Sequence, residues 1–431
     1  MRSPPYGGQD ILGSPMRILI ASTHRNLVGG VEKYLQSIIP VLLEHGHAIG
    51  LVHETPSDGS VERFEPSPPG LPAWCLAELG LEESLRSVAA WRPDVVYLQG
   101  LESLPLEQTL LERYPTVFYA HNYYGTCVTG RKCHTAPQPQ PCSRKMGLAC
   151  LVQYYPRRCG GLHPGTALRM YRNQSKRQSS LQRFRAILVA SQHMYQEFER
   201  HGVRAEQLHL VRLPVVDCER GPDPPRPRVP GGNILLAGRL TDLKGGRFLL
   251  RALPLAAQQL GRRLKIVVAG DGSEREKLES LAQRLGLEAE FTGWVDRART
   301  LSLMRRTDLL AVPSIWPEPF GLVGVEAASA GIPAVAYAVG GIPEWLLSGE
   351  SGELAPANPP TVEGLADAIV RALADPEHYQ RLCRGAWKNA GRFGLETHMA
   401  QLEPILAGGS QATAETAAMD KSLTLQQDHV A

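Results

Sequence analysis

The sequence predicts an α/β protein of two doubly wound, Rossmann-like domains facing one another across a cleft. Three observations carry that prediction. Short, near-continuously apolar runs alternate with longer amphipathic stretches along almost the whole chain, the pattern of parallel strands covered by helices on both faces. The pattern stops at 217–232, a stretch with five prolines and no periodicity, and then restarts. The length of 431 residues also exceeds what one compact core accommodates, so two or three domains are expected.

Taken in order, residues 1–15 carry Pro, Gly and Asp without an apolar stretch and read as a flexible N-terminus rather than a secretory signal. Ile18–Ala21 is one strand long. The following stretch to Glu44 places Tyr34, Leu35, Ile38, Ile39, Leu42 and Leu43 at helical spacing. Ile49–Val52, Val95–Leu98, Val117–Ala120, Ile187–Ala190 and Leu208–Leu213 read as further buried strands. An N-terminal domain is expected over 16–216, with a Cys-rich, basic insertion at about 123–180. Residues 217–232 form a Pro-rich linker. Beyond it, Ile234–Ala237, Ile266–Ala269, Leu309–Val312 and Ala334–Ala338 read as the strands of a C-terminal domain over 233–390. Residues 391–407 suit a helix returning to the N-terminal domain, and 408–431, rich in Ala, Ser, Thr and Gln, a disordered tail.

Composition excludes several classes. At 43% hydrophobic and 21% charged the chain is an ordinary globular one. No apolar run approaches the ~18–20 residues of a membrane-spanning helix, so the expected location is the cytoplasm. A net charge of +3 argues against a nucleic-acid coat, and no nucleic-acid partner is expected.

Three clusters carry chemistry. Gly29-Gly30-Val31-Glu32 follows the first strand and opens the first helix. Glycines there admit a ligand close to the backbone, and helix-terminal N–H groups favour an anion. On spacing alone, an ordinary βα turn fits two glycines equally well. Gly238-Arg239-Leu240-Thr241-Asp242-Leu243-Lys244-Gly245-Gly246 follows the strand Ile234–Ala237. Arg239 offers a fork of donors and Lys244 a point charge, together a natural pyrophosphate clamp. The chain holds nine Lys against 37 Arg, which makes a Lys at this position more informative than usual. Solvated surface cations are the plainer alternative.

The third cluster is Pro317-Glu318-Pro319-Phe320-Gly321-Leu322-Val323-Gly324-Val325-Glu326, opening a helix of small residues. The prolines put Glu318 in the preceding loop and Glu326 in the helix, with the N–H groups of Phe320, Gly321 and Leu322 between them. Two carboxylates accepting from hydroxyls on either side of an anion site match a sugar–pyrophosphate–ribose ligand.

Gly-Gly-x-Glu, Gly-Arg-Leu…Lys-Gly and Glu-x7-Glu, in this order, resemble a family 4 glycosyltransferase of GT-B fold. Gly340-Gly341-Ile342-Pro343-Glu344…Gly349-Glu-Ser-Gly352 and Pro214-Val215-Val216-Asp217 extend the likeness over roughly 16–406. The resemblance implies that Arg239 and Lys244 bind the donor pyrophosphate, Glu326 the ribose and Glu318 the donor sugar, with Gly30 against the phosphates. It also makes His121, after the strand Val117–Ala120, the active-site His near the transferred sugar. A His at a strand end is otherwise more often structural. The family retains anomeric configuration and uses no bound metal or cofactor, and no convincing Asp-x-Asp motif is present. The expected reaction moves a sugar from a UDP- or GDP-sugar to a saccharide or lipid-linked hydroxyl in cell-surface polysaccharide or glycoconjugate synthesis. A nucleotide-sugar epimerase of the same fold and a non-catalytic nucleotide-sugar binding subunit are the alternatives.

Two features depart from the minimal family pattern. Cys127, Cys133, Cys142, Cys150 and Cys159 cluster near His134, without the C-x2-C of a common zinc module. Reduced structural thiols, a zinc site and disulfides remain open, in that order. From Arg113 to Gln196 there are thirteen Lys or Arg and no Asp or Glu, which leaves the rest of the chain at −10. Tyr114, Tyr119, Tyr123, Tyr124, Tyr154, Tyr155, Tyr171 and Tyr195 are interleaved with them. A solvated basic face is the plain reading. An anionic membrane surface, which would make the protein peripheral on the inner face of a membrane, is the sharper one.

Overall fold

A computed structural model describes residues 14–27, 29–56, 70–215 and 229–409. Most of the Pro-rich linker and nearly all of both termini therefore lie outside the described residues.

The first half builds a sheet from β1 (Arg17–Ser22), β2 (Ala48–His53), β3 (Ala73–Cys75), β4 (Val95–Leu98) and β5 (Thr116–Ala120). A small antiparallel hairpin follows, β6 (Cys133–His134) with β7 (Gln140–Pro141), before β8 (Ala186–Val189) and β9 (Leu208–Leu210) complete the sheet. Seven strands in the order β3-β2-β1-β4-β5-β8-β9 are all parallel. Helices α1 (Gly30–Glu44), α2 (Leu76–Trp91), α3 (Leu104–Arg113), α4 (Ala149–Tyr154), α5 (Pro164–Ser180) and α6 (Gln192–Arg200) accompany them. The apolar runs are strands because both faces are covered: Ile18 through Ala21 are fully buried without alternation.

The second half repeats the plan. β10 (Asn233–Ala237), β11 (Lys265–Ala269), β12 (Glu288–Gly293), β13 (Leu309–Val312), β14 (Ala334–Tyr337) and β15 (Gly352–Ala355) form a six-stranded parallel sheet in the order β12-β11-β10-β13-β14-β15. Its helices are α7 (Gly246–Leu260), α8 (Arg275–Arg284), α9 (Arg297–Arg305), α10 (Leu322–Ser329), α11 (Ile342–Trp345), α12 (Val362–Ala374) and α13 (Pro376–Ala390). The sequence pattern had not marked β3, β12 and β15. β12 is an edge strand of mixed exposure reading Glu-Ala-Glu-Phe-Thr-Gly, and β3 and β15 are only three and four residues long.

Both sheets reverse their winding at the first strand of each half, between β1 and β4 and between β10 and β13. Ligands of open α/β sheets bind outside the carboxyl ends of strands at such switch points. The loops after β1, β10 and β13 carry all three sequence clusters. The last helix, α14 (Leu395–Ala407), leaves the second half and packs on α1, where Tyr34 Oη and His398 Nε2 are 2.9 Å apart and His45 meets Glu403 at 2.7 Å. Arg185 closes the same seam by donating to the carbonyls of Ile405 and Leu406.

Candidate active site

The two switch points face one another. Gly29 is extended, and a Cβ placed on it would lie 3.4 Å from the Arg239 guanidinium. A Cβ on Gly30 would lie 3.9 Å from Leu322 Cδ1 at the start of α10. The glycines therefore do more than turn the chain: they let loops of both halves approach. Glu32, one turn into α1, is buried beside them. Burial pushes its carboxyl above the ordinary range, opposed by backbone N–H groups, His24 and Arg239. The last residue of the Gly-Gly-x-Glu motif thus sets a carboxylate from the first half within the electrostatic reach of Arg239.

Lys244 does not stand alone. Its Nζ lies 2.5 Å from Glu318 Oε1 and 5.6 Å from the centre of the Trp316 ring. Glu318 is 6% exposed at its side chain and also accepts from Ser314 Oγ at 2.5 Å. The pairing rests on two glycines. Gly245 has φ +69°, and a Cβ there would come 1.8 Å from the Pro313 carbonyl oxygen, so only Gly lets the Lys244 loop lie on the loop after β13. Gly340 has φ +56° and would collide with the Glu318 backbone, while Gly341 N–H donates to Glu318 C=O at 2.7 Å. The Gly340-Gly341 motif is the floor under the Glu318 loop. Phe320 is buried, Gly321 caps α10 with φ 96°, and Glu326 lies inside that helix.

His121 sits at the end of β5, stacked on Tyr119 at 4.7 Å with Tyr34 at 5.8 Å. Its Nε2 is 2.8 Å from Gln99 Oε1 and donates to it. Burial, with a smaller push from His398, takes its pKa down to about 3, so the ring is neutral at every physiological pH. His398 donates from Nδ1 to Arg212 C=O at 2.8 Å, and burial pushes it down to about 4. Its Nε2 then accepts from Tyr34, whose oxygen is 2.5 Å from that of Tyr97. This relay was not legible, because its members are scattered over the chain.

The insertion grips the same loops. Tyr123 Oη donates to Pro317 C=O at 2.8 Å, Arg131 pairs with Asp242 at 2.8 Å, and Cys133 Sγ reaches Ile315 C=O at 3.6 Å. Glu344 joins the halves again, accepting from Gln192 N–H and from Arg212 at 3.1 Å.

The basic window is only partly a surface. Arg177 is buried and held 2.9 Å from Glu107, and Lys132 is buried against Glu197. Tyr119, Tyr123 and Tyr154 are core residues rather than interfacial ones, because each ring fills a packed position. All seven described cysteines are free thiols, and among the described residues no three His, Cys, Asp or Glu side chains form a group placed to hold one metal ion.

Two facing parallel sheets, with glycines at the first switch point and glycine-bordered cations at the second, define the GT-B class. The model of glycosyltransferase family 4 matches residues 28–220, and that of glycosyl transferases group 1 matches 228–388. The chain belongs to this glycosyltransferase family. Glycogen synthase of Mycobacterium tuberculosis is 38% identical over 164 residues, 37% of this chain and 38% of that one. D-inositol 3-phosphate glycosyltransferase of Segniliparus rotundus is 35% identical over 188 residues, 42% and 41% of the two. Each match thus spans about two fifths of the relative's length. Among solved structures, Anabaena HepE in complex with UDP and glucose superposes with TM-score 0.67 at 23% identity, covering 91% of this chain and 99% of that one. Sucrose-phosphate synthase of Thermosynechococcus elongatus gives 0.67 at 20%, covering 90% and 98%.

Proposed function

We propose that the chain transfers a sugar, with retention and without a bound metal, from a UDP-sugar to a hydroxyl of a saccharide or lipid-linked acceptor in cell-surface glycoconjugate synthesis. The observation that carries this reading is the meeting of Arg239 and the Lys244–Glu318 pair with Gly29 and Gly30 at facing switch points. UDP is favoured over GDP because the HepE structures hold UDP and UDP-glucose.

The bond from the anomeric carbon to the diphosphate breaks, and the acceptor oxygen bonds to that carbon on the same face. The acceptor's proton goes to the departing phosphate oxygen. Arg239 and Lys244 take up the charge on the diphosphate, where preorganised cations act most strongly. Glu318, oriented by Ser314 and Lys244, accepts from sugar hydroxyls. Glu326 accepts from the ribose. His121, held neutral with its Nε2–H given to Gln99, is left with Nδ1 as an acceptor for a sugar hydroxyl and supplies no general-acid cation.

Incubation with labelled UDP- and GDP-sugars, with and without a membrane extract, tests the reading. Transfer to extract lipid or saccharide supports it. Interconversion of the sugars, or binding without turnover, would replace it with an epimerase or a binding subunit.

The acceptor side suits a bilayer. Leu148, Val152 and Leu162 are 74%, 71% and 72% exposed, among the exposed Arg144, Lys145, Arg158, Arg169 and Arg172. Apolar side chains in a cationic field fit an anionic lipid surface, where each close cation contributes roughly 1 kcal/mol. Sedimentation with anionic vesicles should fall steeply with salt. Leu148→Ser with Val152→Ser should lower it several-fold without changing UDP affinity. Salt-insensitive or absent binding would leave this face merely solvated.

A further inference from the structure

The insertion between β5 and β8 has the architecture of a module that needs a staple. Its regular structure is two two-residue strands, the six-residue α4 and the α5 helix, and its own core holds four fully buried hydrophobics, Val128, Met146, Tyr154 and Ala167. So small a core supplies little stability, and comparable natural modules use disulfides or a structural metal. The thiols here are free.

Backbone ties bring the cysteine-bearing segments together. Cys142 N–H donates to Lys132 C=O at 2.8 Å, and Lys132 N–H reaches Cys127 Sγ at 3.4 Å. Thr135 and Ala136 N–H both donate to Arg157 C=O, drawing in the segment that ends at Cys159. A Cβ on Gly160 would lie 3.1 Å from Thr129 Cγ2, which fixes the turn after Cys159 against the turn after Cys127. Cys127, Cys142, Cys150 and Cys159 all line one cavity of about 730 Å³. Cys133 also borders that cavity, but its thiol is spent on the carbonyls of His134 and Ile315, and burial pushes it up to about 12.

Lys132, Arg144, Arg157 and Arg200 line the same cavity against the single acid Glu197. The surplus of cations around the four thiols offsets part of the negative charge that thiolates, the form in which sulfur binds metal, would bring there. Without a metal, burial and the neighbouring Cys127, Cys142 and Cys150 push the Cys159 thiol up to about 11.

We propose that Cys127, Cys142, Cys150 and Cys159 form a tetrathiolate site for a thiophilic metal centre that staples the insertion onto the acceptor side of the cleft. Four cysteines with no oxygen ligand suit tetrahedral zinc or an iron–sulfur cluster. As the four do not converge on one point, the thiols draw together on binding or surround a centre of several atoms. The cavity reaches Pro317, the residue before Glu318, so the staple would brace the donor loop from outside while the metal itself takes no part in sugar transfer.

The test is metal and acid-labile sulfide analysis of the full chain purified without oxygen or chelator, and again after reconstitution with zinc or with iron and sulfide. About one zinc, or about four iron and four sulfide, per chain is expected. Cys142→Ser and Cys150→Ser should each lower metal content at least tenfold, while Cys133→Ser keeps it. Removing the metal should expose the insertion to protease while UDP still binds. If a variant fails to fold, thiol titration of the native wild-type chain decides, since bound cysteines are protected. No metal under any of these conditions, four freely reactive thiols, disulfides among the four, or equal retention in all variants would overturn the proposal.

Discussion

The two walls of the cleft are built by different physics. The donor wall consists of short loops at the ends of fully buried parallel strands, such as Leu309–Val312, and the loops of Lys244 and Glu318 are braced by packed backbone at Gly245 and Gly340. The opposite wall, the insertion, has almost no core and holds its shape through single polar ties and a buried Lys132–Glu197 pair, with four free thiols lining its cavity. A wall made by periodic packing announces itself in sequence and tolerates the loss of one contact. A wall made by pairwise ties does neither.

Acid is the largest lever on that difference. His121, His193, His201 and His398 are pushed down to about 3, 4, 3 and 4, chiefly by burial. Their folded pKa values lie below the unfolded one, so the unfolded chain binds more protons between about pH 6.5 and these values. Stability is fully present above about 6.5 and is lost as pH falls. The loss approaches about 1.4 kcal/mol per pH unit for each histidine as an upper bound. Urea melts at pH 7, 6 and 5 should therefore show a steep decline, whereas flat midpoints would remove the histidines from the account. His193 and His201 stand beside Lys132 and Arg200 on the insertion side. Limited proteolysis should accordingly find the insertion opening before the donor wall.

Next in size, Glu318→Gln should lower kcat by about 10²–10³-fold with KM for the donor nearly unchanged, as for a group felt mainly in the transition state. Steady-state kinetics reads this directly, and a KM effect alone would move Glu318 from chemistry to binding. Lys244→Ala should weaken UDP by about 1.5–3 kcal/mol, roughly 10–100-fold, and also lower the melting temperature, because the buried Glu318 carboxylate keeps only Ser314 as a partner. Calorimetry showing unchanged affinity would dissolve the clamp. The smallest effect belongs to the tie between the walls. Arg131 and Asp242 are 38% and 42% exposed, so Arg131→Ala should cost under about 1 kcal/mol. A larger loss of UDP affinity would mean that the insertion positions the clamp loop.

Legibility followed the same division. Gly29-Gly30, Arg239, Lys244, Glu318 and Glu326 stand out in the sequence because a parallel strand followed by glycine and a cation or carboxylate is a local pattern, and the structure brings Gly29 to Arg239 and Lys244 to Glu318. Glu32 and Ser314 lie in the same patterns, but the sequence shows no partner for either. His398, Gln99 and Tyr97 were out of reach. Each is an unremarkable polar residue in its own segment, and only packing of α14 on α1 makes His398 a partner of Tyr34. The tyrosines of the basic window misled for a related reason: composition does not distinguish an interfacial ring from a core one, and burial of Tyr119, Tyr123 and Tyr154 decides for the core.

By itself the sequence determined the two parallel sheets and the loops that carry charge, because strand burial, helix period and glycine placement act within a few residues of chain. Tertiary structure decided which of those charges meet. Lys244 and Glu318 are 74 residues apart, Arg131 and Asp242 111, and Tyr34 and His398 364. No spacing rule reaches so far. The pairing of such groups is set by how two sheets and a returning helix pack, which is a property of the whole folded chain.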